Sequence, residues 1–186
     1  ITDSLTAIKY NVFDKKKFDM ATLMDAIDAN FEGYENILNL VKNKTPKFGN
    51  DDDYADDVMV DVFNLYYNTI TGRPTATGGQ YRINMLPTTC HVYFGEVMNA
   101  SPNGRLAHVP VSEGISPEKG GDTNGPTSVI KSCSKMDHLK TGGTLLNQRF
   151  APAVVQGETG LENMANLVRS YFNMDGHHIQ FNVFDR

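Results

Sequence analysis

The stretch Thr123-Asn-Gly-Pro-Thr-Ser-Val-Ile-Lys-Ser-Cys-Ser-Lys-Met-Asp-His-Leu-Lys-Thr-Gly-Gly-Thr-Leu-Leu-Asn-Gln-Arg-Phe150 decides the fold. Gly125-Pro126 breaks the chain and opens a short helix, because proline is well placed in a first helical turn, where its missing N–H costs nothing. Gly142-Gly143 makes a tight turn, and an extended run of apolar and amide side chains follows to Phe150. The unit reads as loop, helix, turn and buried strand. Such a unit needs a larger sheet or barrel around it.

Working outward toward the C-terminus, Leu161, Met164, Ala165, Leu167, Val168 and Tyr171 predict the inner face of a helix over 160–172. Asp175-Gly176 is a turn, and 177–184 reads as a last strand. Toward the N-terminus, Gly95 to Gly121 is a long irregular connection of the kind that often carries function. Thr88 to Phe94 predicts either a strand or a short helix, which periodicity alone does not separate. Tyr81 to Leu86 alternates and reads as a strand, stopped by Pro87. The run 54–70 predicts a helix that is largely buried, with carboxylates at its N-terminus favoured by the helix dipole. Asp19 caps a helix from Met20, and a second helical pattern from Tyr34 stops at Thr45-Pro46. Ile1 to Tyr10 fits a helix end, and Val12-Phe13 begins an extended piece. Helices alternate with extended segments, so the fold class is α/β. Residues 1–70 are mainly helical, and 71–186 carry the strands, loops and remaining helices.

Net charge excludes some functions. At -5, the chain lacks the basic surface that nucleic acid or an anionic membrane calls for. No apolar run approaches the ~20 residues of a membrane span, and no signal-peptide pattern opens the chain. The expected location is cytoplasmic. The missing opening Met, and the strand-like run at the far end, are read as signs of a piece of a longer protein.

Local motifs for chemistry are sparse. Lys47 to Tyr54 is rich in carboxylates but lacks the ligand spacing of a calcium loop. Gly78-Gly79, Gly120-Gly121 and Gly142-Gly143 fit no phosphate-binding pattern. His91, His108, His138, His177 and His178 show no helical metal pair, so structural roles and no bound metal are expected. Cys90 and Cys133 lack an electropositive setting and read as small buried groups. Asn147, Gln148, Gln180 and Asn182 are amides in strand-like runs, and they belong to a hydrogen-bonded network or to a polar cavity wall. Tyr81, opening a strand after a glycine-rich loop, is placed to aim a phenol into a cavity.

The residues also carry a resemblance. Tyr93-Phe-Gly followed by Asn99-Ala-Ser-Pro-Asn-Gly-Arg105 resembles a loop of the glycyl radical enzymes. Val111-Ser-Glu-Gly-Ile-Ser-Pro117, Gly120 to Thr127, Ser132 to His138, Gly142 to Phe150, Val168 to Phe172 and Gly176 to Val183 follow in that family's order. The set is similar to the pyruvate formate-lyase-like superfamily. Leu86-Pro-Thr-Thr-Cys-His-Val-Tyr-Phe-Gly95 and Lys140 to Leu146 look most like its B12-independent glycerol and propane-1,2-diol dehydratases.

The resemblance implies part of a ten-stranded β/α barrel and a lyase that dehydrates a vicinal diol to an aldehyde. Other family chemistry, such as choline trimethylamine-lyase or arylacetate decarboxylase activity, is the alternative, and a non-catalytic structural piece is the third reading. The thiyl cysteine and radical glycine motifs do not occur here, so no catalytic residue is expected in these residues. Cys90 is not cast as the thiyl residue. Matching the family pattern, Tyr81 and Ile83 are the expected substrate-binding residues. No cofactor is expected to bind here. The glycyl radical of the parent would be installed by a separate activating enzyme that uses S-adenosylmethionine and an iron–sulfur cluster. The parent would be a homodimer in the cytoplasm, with a bacterial microcompartment as an alternative location.

Overall fold

The computed structural model describes residues 1–87 and 89–185. Thr88, in the run read as a second strand or helix, and Arg186, in the terminal run, lie outside the described residues.

The first part of the chain is helical. Helices α1 (Thr2–Ile8), α2 (Met20–Asp28) and α3 (Glu35–Asn43) gather Ala7, Leu23, Ala26, Phe31 and Val41 into one apolar cluster. Asp19 caps α2 by accepting hydrogen bonds from the Thr22 amide at 2.8 Å and the Thr22 hydroxyl at 2.7 Å. Val12-Phe13 is not extended. It lies in a π-helical turn, Lys9–Asp14, that continues α1. Asn11 is wholly buried there and donates to Ala7 O at 3.0 Å and Thr45 Oγ1 at 2.8 Å. The wider turn lets that amide reach across 34 residues, a demand no local pattern announces.

Helix α4 (Asp53–Ile70) starts where the carboxylates lie, with Asp52 accepting from the Tyr54 amide. It is less buried than expected. Ala55, Asp56, Met59 and Phe63 face inward, whereas Leu65 is 69% and Tyr66 44% exposed. The ambiguous run after Pro87 resolves as helix α5 (Cys90–Val97).

The central unit has the expected order. Helix α6 (Pro126–Ser134) leads through the Gly142-Gly143 turn into strand β1 (Leu146–Phe150). Short α7 (Pro152–Val155) and long α8 (Gly157–Asn173) cross to strand β2 (Ile179–Val183), which pairs with β1 in parallel. Leu146 stands opposite Ile179 and Phe150 opposite Val183. The 81–86 run is an extended segment beside residues 142–145, just before β1, with one parallel bridge, Met85 to Thr144. Parallel strands joined through a helix are the βαβ arrangement, so the mixed α/β class holds.

One side of this sheet is packed. Ile83, Leu146 and Phe150 join Val129 and Ile130 of α6 and Leu167 and Tyr171 of α8 in a second apolar cluster. Leu161 and Ala165 of α8 are exposed, so the inner face of that helix is narrower than its periodicity suggests. Burial along β1 alternates, with Leu146, Gln148 and Phe150 buried and Arg149 exposed.

Candidate functional site

The segment that carries Tyr81 and Ile83 is held by main-chain hydrogen bonds at both ends. The Tyr81 amide donates to Arg73 O at 2.9 Å, and its carbonyl accepts from the Gly72 amide at 3.0 Å. Further along, Gly142 N donates to Ile83 O, Met85 N to Gly143 O and Leu145 N to Met85 O, at 2.9, 2.9 and 3.2 Å. Successive side chains of a strand point to opposite faces. Ile83, 1% exposed, and half-buried Met85 fall on the packed side, while Arg82, Asn84 and Leu86 are exposed. Tyr81 shares the parity of Ile83 but stands beyond the packed helices, 52% exposed. The two candidates therefore occupy one strand in different surroundings, a free phenol and an enclosed aliphatic side chain.

The four amides do not form one group. The pairing register sets Asn147 beside Gln180 and Arg149 beside Asn182, whereas Gln148 stands beside Phe181 on the helix side. There Gln148 Nε2 donates to Pro126 O at 3.3 Å. The side chain of Asn147 thus belongs to the face away from α6 and α8, along with exposed Gln180 and Asn182.

Two buried polar clusters flank this strand region, and sequence reasoning missed both. The first surrounds Asn103. Its Oδ1 accepts from Ser101 Oγ at 2.7 Å and Ser4 Oγ at 3.3 Å, its carbonyl accepts from Lys47 Nζ at 3.0 Å, and its Nδ2 donates to Glu118. Asp3 accepts from the Phe48 amide at 2.9 Å. Burial pushes the Asp3 and Glu118 carboxyls up from their ordinary range and Lys47 down, while the attraction of Lys47 to both carboxylates partly offsets the cost and Asp3 repels Glu118. A cavity of about 120 Å³ opens beside them, lined also by Met59, Met85 and Met136. Positions 3, 47, 103 and 118 are too far apart in sequence for spacing to announce the cluster, although Asn103 lies inside the quoted loop motif. Arg105 in the same loop is 5% exposed and donates to the carbonyls of Asn99, Leu106 and Val109.

The second cluster lies under the Gly142-Gly143 turn. His138 is 3% exposed, its Nε2 sits 3.0 Å from Cys133 O, and its Nδ1 sits 2.8 Å from Thr144 Oγ1. A carbonyl only accepts, so Nε2 carries the proton. Burial lowers the tendency of the ring to take a second one, so Nδ1 accepts from the Thr144 hydroxyl. The Tyr171 ring meets His138 edge-on at 6.0 Å. Its hydroxyl faces Thr144 without a hydrogen bond of normal geometry, and burial pushes that phenol up to about 12. Cys133 is fully buried, its thiol pushed up by burial, and Cys90 is half-buried. Among the described residues no group of three His, Cys, Asp or Glu could hold a metal ion, and no helix is long and apolar enough to cross a membrane.

Comparison with known proteins agrees with the order of motifs. The sequence model of the pyruvate formate lyase-like family matches residues 1–95, and that of the glycine radical family matches residues 111–186. Over its full length the chain is 82% identical to a trans-4-hydroxy-L-proline dehydratase of Clostridioides difficile and covers 24% of it. The crystal structure of the hydroxyproline dehydratase from that organism, with trans-4-hydroxy-L-proline bound, superposes on the whole chain with a TM-score of 0.97 and is covered to 23%. The glycerol-bound B12-independent glycerol dehydratase of Clostridium butyricum gives a TM-score of 0.93 at 40% identity, over all of this chain and 24% of that one. The chain thus spans about a quarter of the length of these relatives. With more than half of its residues matched by the first family model, and the rest largely by the second, the chain belongs to the pyruvate formate lyase-like family.

Proposed function

We propose that the parent protein is a glycyl radical dehydratase, and that its substrate is trans-4-hydroxy-L-proline or a closely related hydroxylated cyclic amino acid. The observation that carries this reading is the 82% identity to the hydroxyproline dehydratase along the whole chain. A vicinal diol, glycerol or propane-1,2-diol, is the second reading. It is favoured by the 40% identity and 0.93 TM-score to the glycerol dehydratase. Both substrates lose water from a carbon bearing a hydroxyl group.

In this reading residues 1–186 are one wall of a ten-stranded barrel, and the thiyl cysteine and radical glycine lie elsewhere in the parent. The radical, installed by an activating enzyme, supplies the hydrogen abstraction. This chain supplies enclosure and aim, which protect a reactive intermediate from water and side reactions. Tyr81 offers its exposed phenol to the substrate, and Ile83 fixes the height of that strand through its packing. The parent acts as a homodimer.

The test is to activate the full-length protein without oxygen and offer it trans-4-hydroxy-L-proline, glycerol and propane-1,2-diol separately. Hydroxyproline should be dehydrated at a kcat/KM at least about a hundredfold above either diol, the discrimination available to a site built around a substrate's polar groups. Turnover of a diol with hydroxyproline untouched would move the assignment to the second reading. Failure on all three with a verified glycyl radical signal would reject dehydration of either class.

A further inference from the structure

The candidate substrate strand packs against α6 and α8 through Ile83, but its register is set by main-chain bonds to its neighbours. Beyond its start, where Tyr81 is tied to Gly72 and Arg73, it hangs on the Gly142–Leu145 segment by the three main-chain hydrogen bonds described above, two of which make the bridge between Met85 and Thr144. What fixes Gly142–Leu145 in turn is therefore a second level of control over Ile83 and Met85, and through Ile83 over the strand that carries Tyr81.

The side chain at the bridge is Thr144, wholly buried, and its hydroxyl meets His138 Nδ1. The other nitrogen of the same ring meets the carbonyl of Cys133, at the end of α6. The Cys133 thiol points at Ile115 O at 3.5 Å, and Ile115 N in turn donates to Leu145 O at 3.0 Å. The imidazole thus clamps the end of a packed helix to the residue that pairs with Met85. We propose that His138 is a positioning residue for the substrate strand, acting as a neutral two-ended clamp between Cys133 O and Thr144 Oγ1. The idea rests on the proposed dehydratase reading only for its kinetic consequence. The clamp itself is a property of the fold.

Leucine at this position fills space but bonds to neither end. Glutamine keeps one donor and one acceptor on a side chain of similar reach. The experiment compares His138→Leu, His138→Gln, Thr144→Val and Thr144→Ser with wild type in the full-length protein. Deuterium exchange of peptides covering 83–86 and 142–146 is measured first, and then KM and kcat for trans-4-hydroxy-L-proline after anaerobic activation. His138→Leu and Thr144→Val should exchange about tenfold faster at the Met85 and Leu145 amides, the equivalent of one lost hydrogen bond. KM should rise by a similar factor, about tenfold, with kcat changed less, whereas His138→Gln and Thr144→Ser stay close to wild type.

Unchanged exchange in His138→Leu and Thr144→Val would overturn the clamp. So would His138→Gln behaving as badly as His138→Leu. Faster exchange with unaltered KM would overturn its link to substrate. If His138→Leu does not fold, Thr144→Val and Thr144→Ser carry the comparison. If wild type turns over no hydroxyproline, the functional reading fails, while the exchange result still decides the clamp.

Discussion

Lys135 Nζ lies 2.7 Å from Asp56 Oδ2, joining a partly exposed ammonium to a carboxylate with no exposed surface. Ser132 Oγ donates to the same oxygen at 2.9 Å, and Asp56 Oδ1 has no hydrogen-bond partner among the described residues. Burial raises the Asp56 carboxyl, and Lys135 and Ser132 pull it back down. The ammonium is shared with Asp51 and Asp53, at 3.3 and 2.7 Å, so one lysine ties α6 to the start of α4.

Removing only the cation should hurt more than neutralising the acid. Lys135→Met in the full-length protein leaves a buried charge uncompensated and should cost about 3 kcal/mol, the lower end for a broken buried pair because Lys135 is partly solvated. Asp56→Asn keeps the shape and the Ser132 contact and should cost less, about 1 kcal/mol. Urea melts of the two variants check the order. Equal losses would show that an uncompensated charge on Asp56 is not what makes Lys135→Met costly.

These contacts show what the sequence could reveal. The Asp19 cap and the acidic start of α4 are local, set by residues within a few positions of one another, and both are readable from order alone. The Asp56–Lys135 pair spans 79 residues and the Asn11–Thr45 bond 34, so neither leaves a periodic trace. The π-helical turn carries the second of these, a distant contact that the local pattern at Val12-Phe13 does not announce. Tyr81 and Ile83 as substrate-binding residues rest on the family motif alone. Strand alternation alone does not show that one would stand clear of the helices and the other lie under them.

A pH dependence follows from His138. Its folded proton affinity is lowered from the ordinary 6.5, first by burial and then by His177, against the opposing pull of the Cys133 carbonyl, Asp175 and Asp137. The unfolded chain therefore binds a proton before the folded chain does. The stability from the neutral ring is complete above pH 6.5 and is lost as pH falls from there through the lowered value. Melting temperature of the wild type between pH 7.5 and 5 should fall more steeply than that of His138→Gln, whose side chain does not titrate. Parallel slopes would remove His138 as the cause.

Tyr171 and Gly176 give a pair of opposite effects. A Cβ at Gly176 would come within 2.5 Å of the Tyr171 ring, which is wholly buried. Gly176→Ala should destabilise by about 2 kcal/mol through overpacking. Tyr171→Phe removes a buried hydroxyl without a hydrogen-bond partner of normal geometry among the described residues and should leave the protein within about 1 kcal/mol of wild type. Calorimetry on both checks the contrast. A large loss in Tyr171→Phe would mean that the phenol has a partner in solution.

The α5 region exposes Tyr93, Phe94 and Val97 at 68, 56 and 80%. A contiguous apolar surface of this kind favours association when left bare. Residues 1–186 expressed alone should self-associate, and Phe94→Glu with Val97→Lys should shift the material toward monomer in analytical ultracentrifugation. Monomeric behaviour of the unaltered piece would show that this surface is tolerated in water.

Arg105 grips three carbonyls of its own loop, those of Asn99, Leu106 and Val109. A protease cut just after Leu106 would therefore not free the two new ends, because the guanidinium still reaches across the break. A nicked parent should travel as one species in native electrophoresis and separate into two pieces only in denaturant. Such a nick would also offer a place to splice in a reporter peptide without dismantling the loop.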